Sequence, residues 1–140
     1  MEITDLPEQR CAEAVALWRD AGLTRPWNDP DADLQRALDG CSSTVLAAVV
    51  DDRLVATAMV GHDGHRGWIY YLAVAPERQR QGFGTAMVRA CEQWVAQRGI
   101  PKLQLMVRTG NDGAVALYEG LGYEQPDARL LGRRLDGATG

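Results

Sequence analysis

Ile69-Tyr70-Tyr71-Leu72-Ala73-Val74-Ala75-Pro76-Glu77-Arg78-Gln79-Arg80-Gln81-Gly82-Phe83-Gly84-Thr85-Ala86-Met87-Val88 is the stretch on which the reading of this chain turns. Its first part, Ile69 to Ala75, is apolar with aromatic and branched residues, as a largely buried strand requires. Pro76 has no N–H to give a central ladder, so the strand should stop there. From Thr85 onward Met87, Val88, Cys91, Trp94 and Val95 recur at helical spacing, and Gly99 supplies a stop. Gln79, Gly82 and Gly84 lie between strand and helix. The first turn of a helix has backbone N–H groups without intrahelical acceptors, and the positive end of the dipole lies with them. Glycines at 82 and 84 would let an anion approach that backbone, and Arg78 and Arg80 add positive charge. Taken alone, the spacing fits either an anion cradle or a plain tight turn. A Walker loop and a Rossmann Gly-x-Gly-x-x-Gly are both excluded by the residues present.

The strand end Leu72-Ala73-Val74-Ala75-Pro76 followed by Gln79-Arg80-Gln81-Gly82-Phe83-Gly84 resembles the acetyl-CoA loop of the GNAT superfamily of N-acetyltransferases. A second block, Asn111, Ala114, Leu117-Tyr118 and Leu121-Gly122-Tyr123, is similar to that family's Asn-x-x-Ala-x-x-Leu-Tyr-x-x-x-Gly-Phe/Tyr pattern. Two ordered motifs are more specific than either one. Arg25-Pro26-Trp27-Asn28-Asp29-Pro30 and His62-Asp63-Gly64-His65-Arg66-Gly67 look like the YpeA-type branch of small bacterial GNAT proteins.

The resemblance implies an α/β fold of mixed α+β type. It would be one mixed, mostly antiparallel sheet of about six to seven strands, with helices on both faces and a splay between the fourth and fifth strands. It implies acetyl-CoA as cosubstrate, wedged into that splay. Leu72, Ala73 and Val74 would offer main-chain groups to the pantetheine arm, much as an added strand does. Gln79, Arg80, Gln81, Gly82, Phe83, Gly84 and Thr85 would wrap the pyrophosphate, and Asn111 would hydrogen-bond the pantetheine. Tyr118 is the family-matched acid for the departing thiolate; its plain alternative is a core tyrosine anchoring the last helix.

With 140 residues the chain is expected to form one domain over 1–140. Hydrophobic content of 46% and charged content of 24% are those of a globular protein. A net charge of −4 gives no general pull toward nucleic acid or an anionic membrane. Cys11, Cys41 and Cys91 have no paired or metal-binding spacing, which suits a reducing, cytoplasmic setting. No basic leader precedes an apolar run, and no stretch approaches the roughly 20 apolar residues of a membrane span.

Along the chain, Ile3 marks a short first strand and Asp5 is expected to cap a helix carrying Ala14, Leu17, Trp18 and Ala21. Trp18 reads as core. Pro26 and Pro30 hold 23–31 as an ordered loop, and a second helix is expected from Asp31 or Ala32 to Gly40. Trp27, with Asn28 and Asp29, either plugs the gap between the helices or walls the acceptor pocket. Ser43–Val50 and Leu54–Gly61 read as strands of a hairpin turning at Asp51-Asp52-Arg53. Ile100–Val107 reads as another strand, and Asn111 is expected to cap a helix burying Val115, Leu117, Tyr118 and Leu121. A short strand should begin at Tyr123, and Arg129–Leu135 should return as a last strand before 136–140 fray.

The chemistry implied is attack of an amine on a thioester. An alkyl amine has a pKa of about 10, so a base must take its proton near neutral pH. Many GNAT enzymes have a glutamate at the start of the strand before the cofactor loop; this chain has Trp68-Ile69-Tyr70-Tyr71 there. Asp29, His62, Asp63 and His65 are titratable residues that are either turn formers or a water-relayed base. Tyr70 or Tyr71 could line the acceptor site, because strand alternation sends one to each face. His62-x-x-His65 lacks the third ligand a metal site needs, so no metal is expected. The activity expected is acetyl transfer to a primary amine on a small molecule or protein, by a monomer or homodimer. The alternatives are an acyl-CoA-binding module without catalysis and a nucleotide-binding domain.

Overall fold

A computed structural model describes residues 2–138 of the chain. The chain divides into two compact units, Met1–Met106 and Val107–Gly140. In the first, the elements run Glu2–Asp5 (β1), Cys11–Asp20 (α1), Pro30–Asp39 (α2), Ser43–Val50 (β2), Arg53–His62 (β3), Gly67–Val74 (β4), Phe83–Gln97 (α3) and Leu103–Leu105 (β5). The strands form one sheet in the order β1-β2-β3-β4-β5. Neighbours are antiparallel through β4, and β4 with β5 is parallel. Parallel neighbours need a long crossover, and α3 lies within it.

Local chemistry explains most boundaries. β2 has the expected bounds, and the hairpin turn is made by Asp51 and Asp52 with φ of 51° and 60°. Two left-handed residues match the twist of the strands they join. Helix α2 begins at Pro30, whose missing N–H is no loss in a first turn. Its N-cap is Asp29, which accepts from the Ala32 N–H at 3.2 Å. Asp5 is not the cap expected for α1: it lies in β1 and accepts from the Thr44 hydroxyl at 3.1 Å. A turn of 3₁₀ helix, Glu8–Arg10, leads into α1 instead.

One face of the sheet packs on α1 and α2, with Leu17, Trp18, Leu34, Val45, Ala47 and Ala73 in a common core. Helix α3 packs on β2, β3 and β4 from the other face. Alanines at 48, 56 and 58 are buried in the strands. Gly67 takes this close approach furthest, since a Cβ there would lie 2.7 Å from both methyls of Val95. Trp18 is fully buried, as the core reading required. Trp94 is only half-buried, and the Arg98 guanidinium lies over its ring at 3.6 Å.

The sheet has five strands among the described residues, not six to seven. The strands missing among the described residues are the two expected from Tyr123 onward, and the strand before them is shorter than expected. The strand expected over Ile100–Val107 shortens to β5, because Pro101 cannot donate and pairing ends at Leu105 opposite Ile69. Beyond Ile69, β4 carries a bulge, and a bulged strand bends off its regular path. The strand expected from Tyr123 and the one over Arg129–Leu135 are absent among the described residues. Pro126 and Gly132 interrupt that segment, and Leu130 and Leu131 are adjacent rather than alternating. They are 69% and 91% exposed, and Leu135 is 92% exposed, so no ladder partner covers them.

The second unit contains Asp112–Gly120 (α4), capped by Asn111, which accepts from the Ala114 N–H at 3.2 Å as expected. The residues expected to be buried on α4 are not: Leu117 is exposed, and Val115, Tyr118 and Leu121 are partly covered. Near the end of the chain, Asp136 accepts from the Ala138 N–H at 3.0 Å. Residues 139 and 140 of the segment expected to fray lie outside the described residues.

Candidate active site

The loop between β4 and α3 is built by backbone conformation. After a 3₁₀ turn at Pro76–Arg78, Arg80 has φ +63° and Gly82 has φ +87°. Gly82 is the N-cap of α3 and offers no side chain to its amides, and the first turn has no acidic residue. The Ala86 N–H is bonded to the Gly82 carbonyl at 3.0 Å, so the amides of Phe83, Gly84 and Thr85 occupy the turn that helix geometry leaves without intrahelical acceptors. With no side-chain cap and no acidic residue in its first turn, the positive helix end has the features of an anion site. The two glycines differ in kind. Gly82 is required by its left-handed backbone. Gly84 has ordinary helical space around it, and a Cβ there would meet only a Val74 methyl at 3.8 Å. Alanine would suit that position by about 0.5 kcal/mol, roughly half the helix-interior preference, so an unforced glycine is what a close-lying ligand would explain.

Strand β4 meets its neighbours asymmetrically. β4 pairs with β5 only through Gly67, Trp68 and Ile69, while Tyr70–Val74 continue with no strand on that edge among the described residues. The Val74 peptide is therefore turned to an open edge, because the pairs on either side of it, Val55 with Ala75 and Thr57 with Ala73, are the ones turned to β3. On the other side, Thr57 pairs with Ala73 but Met59 pairs with Tyr70, so β4 carries one residue more than β3 across this interval. Tyr71 is at the bulge with φ +50°.

This bulge corrects the alternation expected for the two tyrosines. Thr57 and Met59 share a face of β3, and their partners Ala73 and Tyr70 share it with them. Tyr71 is on that face too, since its ring stacks on Trp18 of α1 at 4.0 Å. Both tyrosines thus face α1 and α2. Tyr70 remains 43% exposed, with its ring beside Trp68 at 6.4 Å. Its phenol is pushed up by burial and then by the charge of Asp63. The Tyr71 hydroxyl is turned inward and donates to Asp33 on α2 at 2.7 Å. Burial, followed by that carboxylate, raises its pKa far beyond the working range, so it stays protonated. Asp33 and Thr57 had no signal in the sequence beyond an acidic residue one turn into α2.

The remaining acceptor-side candidates sit in turns. Trp27 and Asn28 are half-buried in the loop before α2, where the Asn28 N–H donates to the Arg25 carbonyl at 3.0 Å. The Asp29 carboxylate is used as the α2 cap. Asp63 accepts from the amides of His65 and Arg66 at 2.9 and 2.8 Å, which hold its carboxyl below the ordinary range and make it a weak base near neutral pH. His62 accepts the Gly64 N–H at 3.1 Å, and His65 is exposed. Among the described residues, no three His, Cys, Asp or Glu side chains gather as a metal site would need. In the second unit, Tyr118 is partly covered, with its ring edge-on to Tyr123 at 5.8 Å, and Asn111 is at the N-terminus of α4.

Residues 12–123 match the model of the acetyltransferase (GNAT) family. The chain belongs to that family. It is 42% identical over 135 residues to an acetyltransferase of Yersinia pestis, covering 96% of each chain, and equally similar to one of Yersinia enterocolitica. GNAT proteins of known structure share the fold at low identity. An aminoglycoside N-acetyltransferase solved with CoA superposes with a TM-score of 0.81 at 15% identity, covering 96% of this chain and 94% of that one. The ribosomal-protein-S18-alanine N-acetyltransferase of Escherichia coli gives 0.78 at 24% identity, covering 89% and 78%. No helix among the described residues is long and apolar enough to cross a membrane.

Proposed function

We propose that this GNAT protein transfers the acetyl group of acetyl-CoA to a primary amine, by direct attack in a ternary complex. One observation carries the reading: the N-terminus of α3 is uncapped and free of acidic residues, and it holds a glycine at 84 that the fold itself does not need. A diphosphate would accept the amides of Gly82–Thr85, with Gln79, Arg80 and Gln81 flanking it. The pantetheine arm would lie along the open edge at 72–74, taking its main-chain partners from Leu72 and Val74 on either side of Ala73, and Asn111 would meet it through its side-chain amide.

At the thioester, the neutral amine nitrogen adds to the carbonyl carbon, the C–S bond breaks, and the thiolate is protonated. Tyr118 is assigned as the donor of that proton. The amine proton leaves through water, because the turn amides make Asp63 a weak base and the Tyr70 and Tyr71 phenols keep their protons. Tyr70, Trp27, Asn28 and His65 are assigned to the acceptor side; the acceptor is a small molecule or a protein amine, met in the cytosol. A second reading, acyl-CoA binding without catalysis, is favoured by the absence of a carboxylate from Trp68–Tyr71. Calorimetric titration with acetyl-CoA tests the binding common to both. Thiol release over a panel of polyamines, aminoglycosides and peptides separates them, since tight binding with no turnover would leave only the second.

A further inference from the structure

The left-handed conformation of Tyr71 is unusual. A bulky side chain at φ +50° is a steric outlier, sustained only where surrounding contacts impose it. Three elements supply those contacts. Trp18 of α1 stacks on the ring at 4.0 Å with planes 12° apart. Asp33 of α2 accepts the hydroxyl at 2.7 Å and is itself paired with Arg36. The Trp18 indole N–H donates to the Thr57 hydroxyl at 2.9 Å, and that hydroxyl points back at the Tyr71 carbonyl at 3.5 Å. Ring, hydroxyl and peptide of one residue are therefore each held from a different part of the fold.

We propose that Tyr71 is a positioning residue whose clamp by Asp33 and Trp18 maintains the β4 bulge, and through it the shape of the open edge at Leu72–Val74 that receives acetyl-CoA. The inference rests on the cofactor reading above. If the bulge relaxes, the strand regains regular alternation and every side chain from 72 onward exchanges faces. The open edge would then present a different set of peptide groups to the pantetheine arm.

The test compares wild type with Tyr71→Phe, which keeps the ring on Trp18 and removes only the hydroxyl, and with Asp33→Ala, Asp33→Asn and the Tyr71→Phe/Asp33→Ala pair. Melting temperature, hydrogen exchange at residues 70–74 and acetyl-CoA titration are read for each. Tyr71→Phe and Asp33→Ala are expected to remain folded, to speed exchange at Tyr71–Ala73, and to weaken acetyl-CoA binding by about 10-fold, the scale of one charge-assisted hydrogen bond. The double variant should be no weaker than either single, because both remove one contact. Asp33→Asn keeps an acceptor oxygen and should recover much of the loss. A lower melting temperature with unchanged exchange at 70–74, or with unchanged acetyl-CoA affinity, would reduce the clamp to ordinary packing and overturn the proposal. Should wild type itself not bind acetyl-CoA, the cofactor reading and this proposal's binding arm fall together; unchanged exchange in a wild type that binds overturns the proposal alone.

Discussion

Replacing Gly84 with alanine should move stability and ligand binding in opposite directions. The residue is in the first turn of α3, with helical rather than left-handed backbone, so the change removes unfolded-chain entropy without adding strain. The new Cβ would sit 3.8 Å from the nearest Val74 methyl, an ordinary contact. Helix propensity then favours alanine by up to about 1 kcal/mol, and roughly half of that is expected in a first turn. For a chain of this size the melting temperature should rise by about 1–2 °C. Acetyl-CoA, if its diphosphate lies against this backbone, meets a methyl group where it needs contact, and its affinity should fall by at least ~10-fold, or about 1.4 kcal/mol. Thermal denaturation without ligand and calorimetric titration with acetyl-CoA measure the two effects on one preparation. Gly82→Ala is the contrasting control: at φ +87° it should cost stability by about 1–2 kcal/mol. A Gly84→Ala protein that is more stable and binds acetyl-CoA as wild type does would refute the idea that ligand approach keeps residue 84 a glycine.

Tyr118→Phe should lower turnover by about 10- to 100-fold while acetyl-CoA affinity stays near wild type, as loss of a general acid predicts; equal turnover in the two proteins would remove the assignment. Gly67→Ala should destabilise by about 1–3 kcal/mol, because both branches of a stiff valine stand in the way at 2.7 Å. Val95→Ala makes room, so the double variant should be clearly more stable than the sum of the singles, and strict additivity in chemical denaturation would contradict the packing described. Asp63→Asn tests the turn before β4. The folded carboxyl is held below its unfolded value, so its contribution is present above about pH 4 and is lost as pH falls through the folded value. The gap in melting temperature between wild type and Asp63→Asn should therefore close on acidification, and a gap that persists unchanged at pH 2 would show that charge is not its source.

The glycine loop before α3 and the cap of α4 are legible in the sequence because their encoding is local. Gly82 and Gly84 stand directly before the apolar repeat of α3, and Asn111 caps α4 from within its own first turn, so a window of a few residues carries the instruction. The hairpin at Asp51-Asp52 and the end of α2 at Gly40 were readable for the same reason. Tyr71 is the opposite case. Nothing in Trp68-Ile69-Tyr70-Tyr71-Leu72 distinguishes a bulged strand from a regular one; the difference is made by Asp33, 38 residues earlier, and by Trp18 and Thr57 on two further elements. A period-two reading therefore put the tyrosines on opposite faces when tertiary contacts put them on the same one. The strand expected over 129–135 is missing for a related reason: Leu130, Leu131 and Leu135 are set among three arginines and a glycine, and a strand exists only where an edge accepts it.

That division between local and distant encoding has a chemical counterpart. A diphosphate is recognised by backbone amides, whose geometry a short glycine-containing turn can fix alone, so a chain that keeps the turn keeps the cofactor. An acceptor amine would be recognised by side chains from separate elements, and on the proposed function those elements would meet at Tyr70, on the α1 and α2 face of the sheet. Because α2 starts at the Asp29 cap and reaches the bulge one turn later through Asp33, the loop of Trp27 and Asn28 is tied to the same strand that would carry acetyl-CoA. Changes in that loop should therefore be felt at the cofactor edge as well as at the acceptor, and substitutions of Trp27 are expected to alter both affinities together when the tie is intact and the acceptor affinity alone in an Asp33→Ala background.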